Sequence, residues 1–149
     1  MAVMSVATFE RFFRSVADLD VDKSDFKRYG EFVRREVHDL LIMAEATAKA
    51  NGRDIIEPYD LPITKGLQEH VQAFRRLAEA GSFRLILQDL ALAPQLDLAV
   101  GADTEAGLPD IAGGLSVALG QAFHIIDPEL PNPQSIHWER AFRLFDLLM

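Results

Sequence analysis

The sequence predicts an all-α protein, and three observations carry that prediction. Apolar residues recur at helical spacing along nearly every patterned segment. No segment alternates with the period of two that a strand requires. The breaks between patterns fall on Asn-Gly, Pro and Asp-Pro. The patterned segments also run short, long, short, and do so twice: once over residues 1–80 and again over residues 81–149.

The first helix covers Thr8 to Ala17, where Phe9, Phe12, Phe13 and Val16 recur at i, i+3, i+4 and i+7. "DLDVDKSD" interrupts it, and Ser24 or Asp25 is placed to cap a long helix from Phe26 to Ala50. Phe32, Val33, Val37, Leu40, Leu41, Ala44 and Ala48 stripe that helix. Asn51-Gly52 stops it, because both residues tolerate the left-handed backbone of a helix end. Asp60 can cap a third helix with Pro62 in its first turn and Leu67, Val71, Phe74 and Leu77 inward, ending near Gly81.

Ser82 opens the second cycle, with Phe83, Ile86, Leu87 and Leu90 recurring until Pro94. After the loop "LDLAVGAD", Thr104 can cap a second long helix striped by Leu108, Ile111, Ala112, Leu115, Leu119, Ala122, Phe123 and Ile126. Gly113, Gly114 and Gly120 each weaken it by roughly 1 kcal/mol relative to Ala. Asp127-Pro128 ends it. Ser135 then caps a last helix with Trp138 partly buried and Ala141, Phe142, Phe145 and Leu148 inward.

A helix of about 25 residues extends roughly 37 Å. One such helix with two short ones cannot cover both sides of its apolar stripe. Two units can, by crossing their long helices, and the three glycines would let those backbones approach. The expected organisation is one compact domain over residues 1–149, whose halves form a single core.

At 149 residues, 49% hydrophobic and 26% charged, the composition is that of a globular chain. The absence of cysteine excludes a disulfide framework, a thiolate zinc site and a cysteine nucleophile. "MAVMSVATFERFFRS" does not read as a signal peptide, since Glu10 and Arg11 interrupt its apolar run, and no window reaches the roughly 18 apolar residues of a membrane span. The expectation is a soluble cytoplasmic protein with no membrane role. Its net charge of −8 is uneven: residues 1–80 hold 12 Lys/Arg against 14 Asp/Glu, and residues 81–149 hold 3 against 9. A surface for polyanions is therefore expected from the first half.

Between the first long helix and the next lies "NGRDIIEPYD", with Arg53 seven residues before Asp60. Helix, loop, long helix, loop, helix resembles the histone fold, and this turn is similar to that fold's second loop. "RDIIEPYDLPITKGL" and "DVDKSDFKR" further resemble a little-characterised bacterial family that carries two histone folds in one chain. The resemblance spans essentially the whole chain and is most specific over residues 20–75. It implies two tandem histone folds packed as an intramolecular pseudodimer, monomeric as a chain. It also implies a structural clamp in which the Arg53 guanidinium grips the Asp60 carboxylate. The second half departs from the pattern, because "DPELPNPQSIHWER" has no Arg–Asp pair at that spacing.

Histone-fold pairs hold duplex DNA where the first loop of one unit lies beside the second loop of the other, so the resemblance implies a DNA-associated, nucleoid-type protein without enzymatic activity. Lys23, Lys27, Arg28, Arg34 and Arg35 are the candidate phosphate contacts. Against strong binding, Asp18, Asp20, Asp22 and Asp25 crowd the first loop and Asp54 follows Arg53. The second-half loops hold five acidic residues and no basic one. The expectation is weak, salt-sensitive association without base readout. The alternative is a histone-fold protein-interaction module with no nucleic-acid partner. For Arg34, Arg35, Arg75 and Arg76 taken singly, the plainer expectation is solvated helix faces paired with Glu31, Glu36, Glu69 and Glu79.

Other chemistry finds little footing. Asp18, Asp20 and Asp22 alternate as in a calcium loop, but Lys23 replaces the turn glycine and Tyr29 stands at the bidentate glutamate position. His38, His70, His124 and His137 are scattered, "PITKGL" lacks a phosphate cradle, and there is no G-x-S-x-G. No metal, cofactor or catalytic residue is expected.

Overall fold

The computed structural model describes residues 6–77 and 79–149. The first five residues of the segment weighed above as a signal peptide lie outside the described residues. The first half contains α1 (Val6–Ala17), α2 (Asp25–Ala50), a two-residue strand β1 (Ile55–Ile56), a single 3-10 turn (Pro58–Asp60) and α3 (Lys65–Arg75). The second half contains α4 (Ala80–Leu90), β2 (Ala99–Val100), α5 (Ala102–Ile126) and α6 (Ser135–Leu148).

The helical stripes face inward. Phe9, Phe12 and Phe13 of α1, all seven residues of the α2 stripe, and Leu108, Ile111, Leu115, Leu119 and Phe123 of α5 are buried. Residues of both halves fall in one apolar cluster. Its aromatic centre joins Phe9 and Phe13 of α1 to Tyr29 of α2, while Trp138 of α6 packs edge-on to Phe123 of α5 with ring centroids 4.9 Å apart.

The loops interlock reciprocally. β1 pairs in parallel with β2, Ile55 opposite Ala99 and Ile56 opposite Val100, so the loop after α2 lies beside the loop before α5. The Gly101 amide and the Thr104 hydroxyl both donate to the Ile56 carbonyl, at 2.9 and 2.8 Å. At the other end, the Asp20 amide donates to the Pro131 carbonyl at 2.8 Å, joining the loop after α1 to the loop after α5. Each half thus closes a loop of the other.

Several local expectations are corrected. A short strand pair exists where the sequence shows no alternation, because two residues per strand leave no period to detect. Asp60 ends the 3-10 turn instead of capping α3. That cap is Thr64, whose hydroxyl accepts from the Leu67 amide at 3.1 Å. Gly101 precedes α5, and Thr104 is spent on the strand junction. Trp138 is fully buried rather than partly so. Leu148, expected inward, is 74% exposed in the last turn of α6. α2 does stop at Asn51-Gly52, with Gly52 at a φ of 71°.

The glycines of α5 do allow close approach, but to other helices than expected. A Cβ on Gly114 would lie 2.5 Å from Val71 Cγ2 and 2.9 Å from the Val71 amide nitrogen on α3. One on Gly113 would enter the Phe74 ring, and one on Gly120 would meet Ala17 at the end of α1. The glycines seat the short helices of the first half on the long helix of the second. α5 also runs through Pro109, which removes a helical hydrogen bond and is buried in the process.

Candidate nucleic-acid interface

The site begins at the loop before α2. Asp22 Oδ1 accepts from the Ser24 amide and hydroxyl, and Asp25 Oδ2 accepts from the Asp22 amide at 3.1 Å. These bonds close the turn from which α2 starts, although Ser24 itself caps nothing with its side chain. The Ser24 hydroxyl bond holds the Asp22 carboxyl below its ordinary value, whereas burial pushes that of Asp25 up. Asp20 pairs with Arg14 at 3.3 Å. Asp20 and Asp22, two of the aspartates that alternate in sequence, are therefore occupied by local bonds. Among the described residues no group of three His, Asp or Glu side chains is arranged to hold a metal ion.

From this turn α2 runs beside α6. The Phe32 ring stacks on Phe142 at 5.4 Å and meets Phe145 edge-on at 4.8 Å. This seam divides the five candidate basic residues. Arg28 and Arg35, seven residues apart and so on one side of the helix, both turn to α6. Arg28 donates to Ser135 Oγ at 2.9 Å; Arg35 reaches Asp146 at 3.4 Å and lies over the Phe142 ring. Lys23, Lys27 and Arg34 remain exposed, with Glu31 on the same outer stripe as Lys27 and Arg34.

The structure adds two residues to the five. Arg140 and Arg143 are exposed on α6 and line a shallow depression with Ile126 of α5 and with Leu144, Asp146 and Leu147. The basic surface is thus not confined to the first half. Among the described residues Lys23, Lys27, Arg28, Arg34, Arg76, Arg140 and Arg143 make no ion pair. Their helical register could have been found in the sequence, but the neighbourhood of α2 and α6 could not.

The remaining basic residues make ion pairs, and Arg75 does so with a partner other than the glutamates expected for it. Arg75 and Arg84 converge on Asp110 of α5, at 2.8 and 2.5 Å. Burial pushes that carboxyl up, and the two guanidinium bonds more than offset it, leaving it below its ordinary value. Arg11 pairs with Glu79 and Lys49 with Asp97. Glu36, expected to neutralise a neighbouring arginine, has a covered Oε1 with no hydrogen-bond partner.

The second loop of the first half carries the arginine fork. Arg53 donates from both terminal nitrogens to Asp60, at 2.7 and 2.5 Å, and the Glu57 amide donates to the same carboxylate at 2.8 Å. The Arg53 bond holds the Asp60 carboxyl down at about 2. The guanidinium also sits 5.0 Å over the Tyr59 ring. With its fork filled, Arg53 is unavailable to a phosphate without releasing Asp60. Around it, Asp54, Glu57, Asp97, Asp103 and Glu105 make the end of the molecule at the strand pair acidic. In the second half the loop closes differently: His137 Nδ1 accepts from the Gln134 amide at 2.9 Å, and its Nε2 lies 3.9 Å from Asp127.

The fold so built, six α-helices with one minimal strand pair among the described residues, is that of a small, mostly helical protein. The chain belongs to the family described as Domain of unknown function (DUF1931), whose pattern it matches over residues 9–146. A crystal structure from Thermus thermophilus is 50% identical, with a TM-score of 0.84, over 97% of this chain and 98% of that one. A second, from Aquifex aeolicus, is 26% identical with a TM-score of 0.82, over 94% and 92% of the two chains. An uncharacterised protein of Aquifex aeolicus strain VF5 is 31% identical over 106 residues. The match takes in 71% of this chain and 62% of the length of that relative.

Proposed function

We propose that this protein is histone-like: two histone folds joined in one chain, associating with duplex DNA through phosphate contacts and without reading base sequence. What supports the fold half of this reading is the reciprocal loop pairing, β1 with β2 and Asp20 with Pro131, which relates the two three-helix units as a dimer's subunits are related. The observation that carries the DNA half is the α2–α6 surface. There, among the described residues, Lys23, Lys27, Arg28, Arg34, Arg140 and Arg143 make no ion pair, in a chain of net charge −8. The acidic strand-pair end argues against wrapping. Contact is by this one surface and is weak, because each phosphate neutralised adds only an increment and few can be reached.

The test is fluorescence anisotropy with a labelled duplex at about 50 and 200 mM salt. Affinity should fall steeply with salt and weaken in a Lys27→Ala/Arg34→Ala variant, which leaves the Arg35–Asp146 pair in place. Absence of binding at the lower salt sinks the DNA reading. The second reading, a protein-interaction module, then takes its place. It is favoured by the exposed Ile125, Leu147 and Leu148 beside an apolar groove between α3, α5 and α6.

A further inference from the structure

The helices of the two halves end differently. α2 ends on Lys49 and Ala50 and α3 on Arg75, whereas α5 ends on Ile125 and Ile126 and α6 on Leu147 and Leu148. Ile125 and Leu147 are each 78% exposed, and Leu148 is 74% exposed. Ile125 and Leu148 stand in the walls of a groove of about 520 Å³ between α3, α5 and α6, with Leu67, Leu115 and Phe145 also in its lining. The polar side chains there are bonded within the chain. His70 Nε2 and Gln121 Oε1 are hydrogen-bonded at 3.0 Å, and the Thr64 hydroxyl accepts from the Leu67 amide at 3.1 Å. The face calls for apolar cover rather than for a polar ligand.

Size and charge both bear on what covers it. Leu115 to Ile125 spans about 15 Å of α5, and three helix widths beside it make a face on the order of 500 Å². Stable two-chain contacts begin at about 600 Å² per chain, and weaker, concentration-dependent ones lie just below. The chain carries a net charge of −8, so two copies repel one another unless they meet where acid is compensated. Beside this groove it is compensated. Lys65 pairs with Glu69 and Arg35 with Asp146, each at 3.4 Å, and Arg143, next to Leu144, is basic.

We propose that this groove joins two copies of the chain about a two-fold axis, with Ile125 and Leu148 of each copy seated in the groove of the other. Hollow and projections lie on one face, which is what a two-fold contact requires. Among the described residues the polar ends of α2 and α3 do not repeat that face, so association stops at two chains. The dimer uses the groove named under the interaction reading, but it rests neither on a foreign partner nor on DNA. Repulsion between two acidic chains is screened by salt while apolar contact is not, so the dimer holds or tightens as salt rises. DNA association does the reverse.

Sedimentation equilibrium at about 5 to 500 µM chain, in about 50 and 500 mM salt, tests this. The mass should climb from 16.6 kDa towards twice that value and level there, at least as readily in the higher salt. Leu148→Glu should raise the dissociation constant by about tenfold or more, the scale of one apolar side chain left uncovered. Leu85→Glu, at a position on α4 that is 64% exposed, should leave it unchanged. Both positions are on the surface, so the fold is retained. Because the chain has no cysteine, Leu148→Cys provides a single attachment point for a short bismaleimide. A two-chain product should form with it and not with Leu85→Cys. A mass that stays at one chain at the highest concentration, or climbs past two without levelling, overturns the proposal. Equal responses of the two Glu variants, or equal cross-linking of the two Cys variants, overturn it as well.

Discussion

Tyr29 of α2 and Ser116 of α5 meet at 2.7 Å inside the core, 87 residues apart in sequence. Ser116 donates its own proton to the Ala112 carbonyl at 2.7 Å, so the Tyr29 hydroxyl is the donor between them. Burial pushes the phenol well above its ordinary value and keeps it neutral. The two long helices are thereby registered by one polar contact among apolar neighbours. Tyr29→Phe leaves Ser116 still bonded to Ala112 and should cost about 1 kcal/mol, whereas Ser116→Ala strands a buried hydroxyl and should cost about 1–3 kcal/mol. Urea unfolding of both single variants and the double variant would show a cost less than additive. Strict additivity would mean that the two hydroxyls do not interact.

The bond between Arg53 and Asp60 gives the stability a pH signature. The folded Asp60 carboxyl sits at about 2, below its ordinary value of 3.8. A depressed carboxyl contributes stability that is fully present above the ordinary value and is lost as pH falls through the folded one. Thermal unfolding should therefore show wild type losing its advantage over Asp60→Asn between about pH 4 and pH 2. A gap between the two proteins that stays constant across this window would refute a charged clamp.

Close approach at Gly114 and open space at Gly66 predict opposite effects of the same substitution. Gly114→Ala drives a Cβ against the Val71 backbone on α3, where neither chain can yield freely, and should destabilise by about 1–3 kcal/mol or more. Gly66 lies in the first turn of α3 with nothing within 4 Å of a built Cβ. Gly66→Ala should stabilise by about 0.5–1 kcal/mol through the reduced freedom of the unfolded chain. Denaturant midpoints decide it, and a stabilising Gly114→Ala would mean that α3 and α5 are not in close contact.

What was legible in the sequence follows from the range of each signal. The stripes of α1, α2 and α5 and the stop at Asn51-Gly52 are local patterns, and they read directly. Arg53 and Asp60 span one loop, so their spacing too is visible. The helix starts at Lys65 and Ala102 are not, because Asp60 and Thr104 have the chemistry of caps but are drawn to Arg53 and to the Ile56 carbonyl. Long-range neighbourhoods are least visible. Nothing near Arg143 reveals that α6 lies along α2, and nothing near Asp110 reveals that it receives Arg75 and Arg84.

That neighbourhood makes a prediction for DNA. If the α2–α6 surface holds phosphates, Arg140→Ala/Arg143→Ala should weaken duplex binding and lower the slope of log affinity against log salt by up to about 2 units, nearly one for each phosphate no longer held. Arg76→Ala on the end of α3 should change neither. Equal losses in both variants would indicate diffuse charge attraction rather than a defined surface.

Glu36 supplies the opposite pH signature to Asp60. Its folded value, about 6, exceeds the ordinary 4.5, so the folded chain holds a proton that the unfolded chain has released between those two values. Stability from this group then falls as pH rises through the window and is lowest above about 6. Since part of the side chain's surroundings admits solvent screening, the expected cost of the ionised form is about 1 kcal/mol rather than the full shift. Glu36→Gln should therefore be the more stable protein at pH 7.5 and lose that advantage near pH 4, in thermal unfolding. An advantage for Glu36→Gln that is the same at both pH values would show that Oε1 is not the group that titrates.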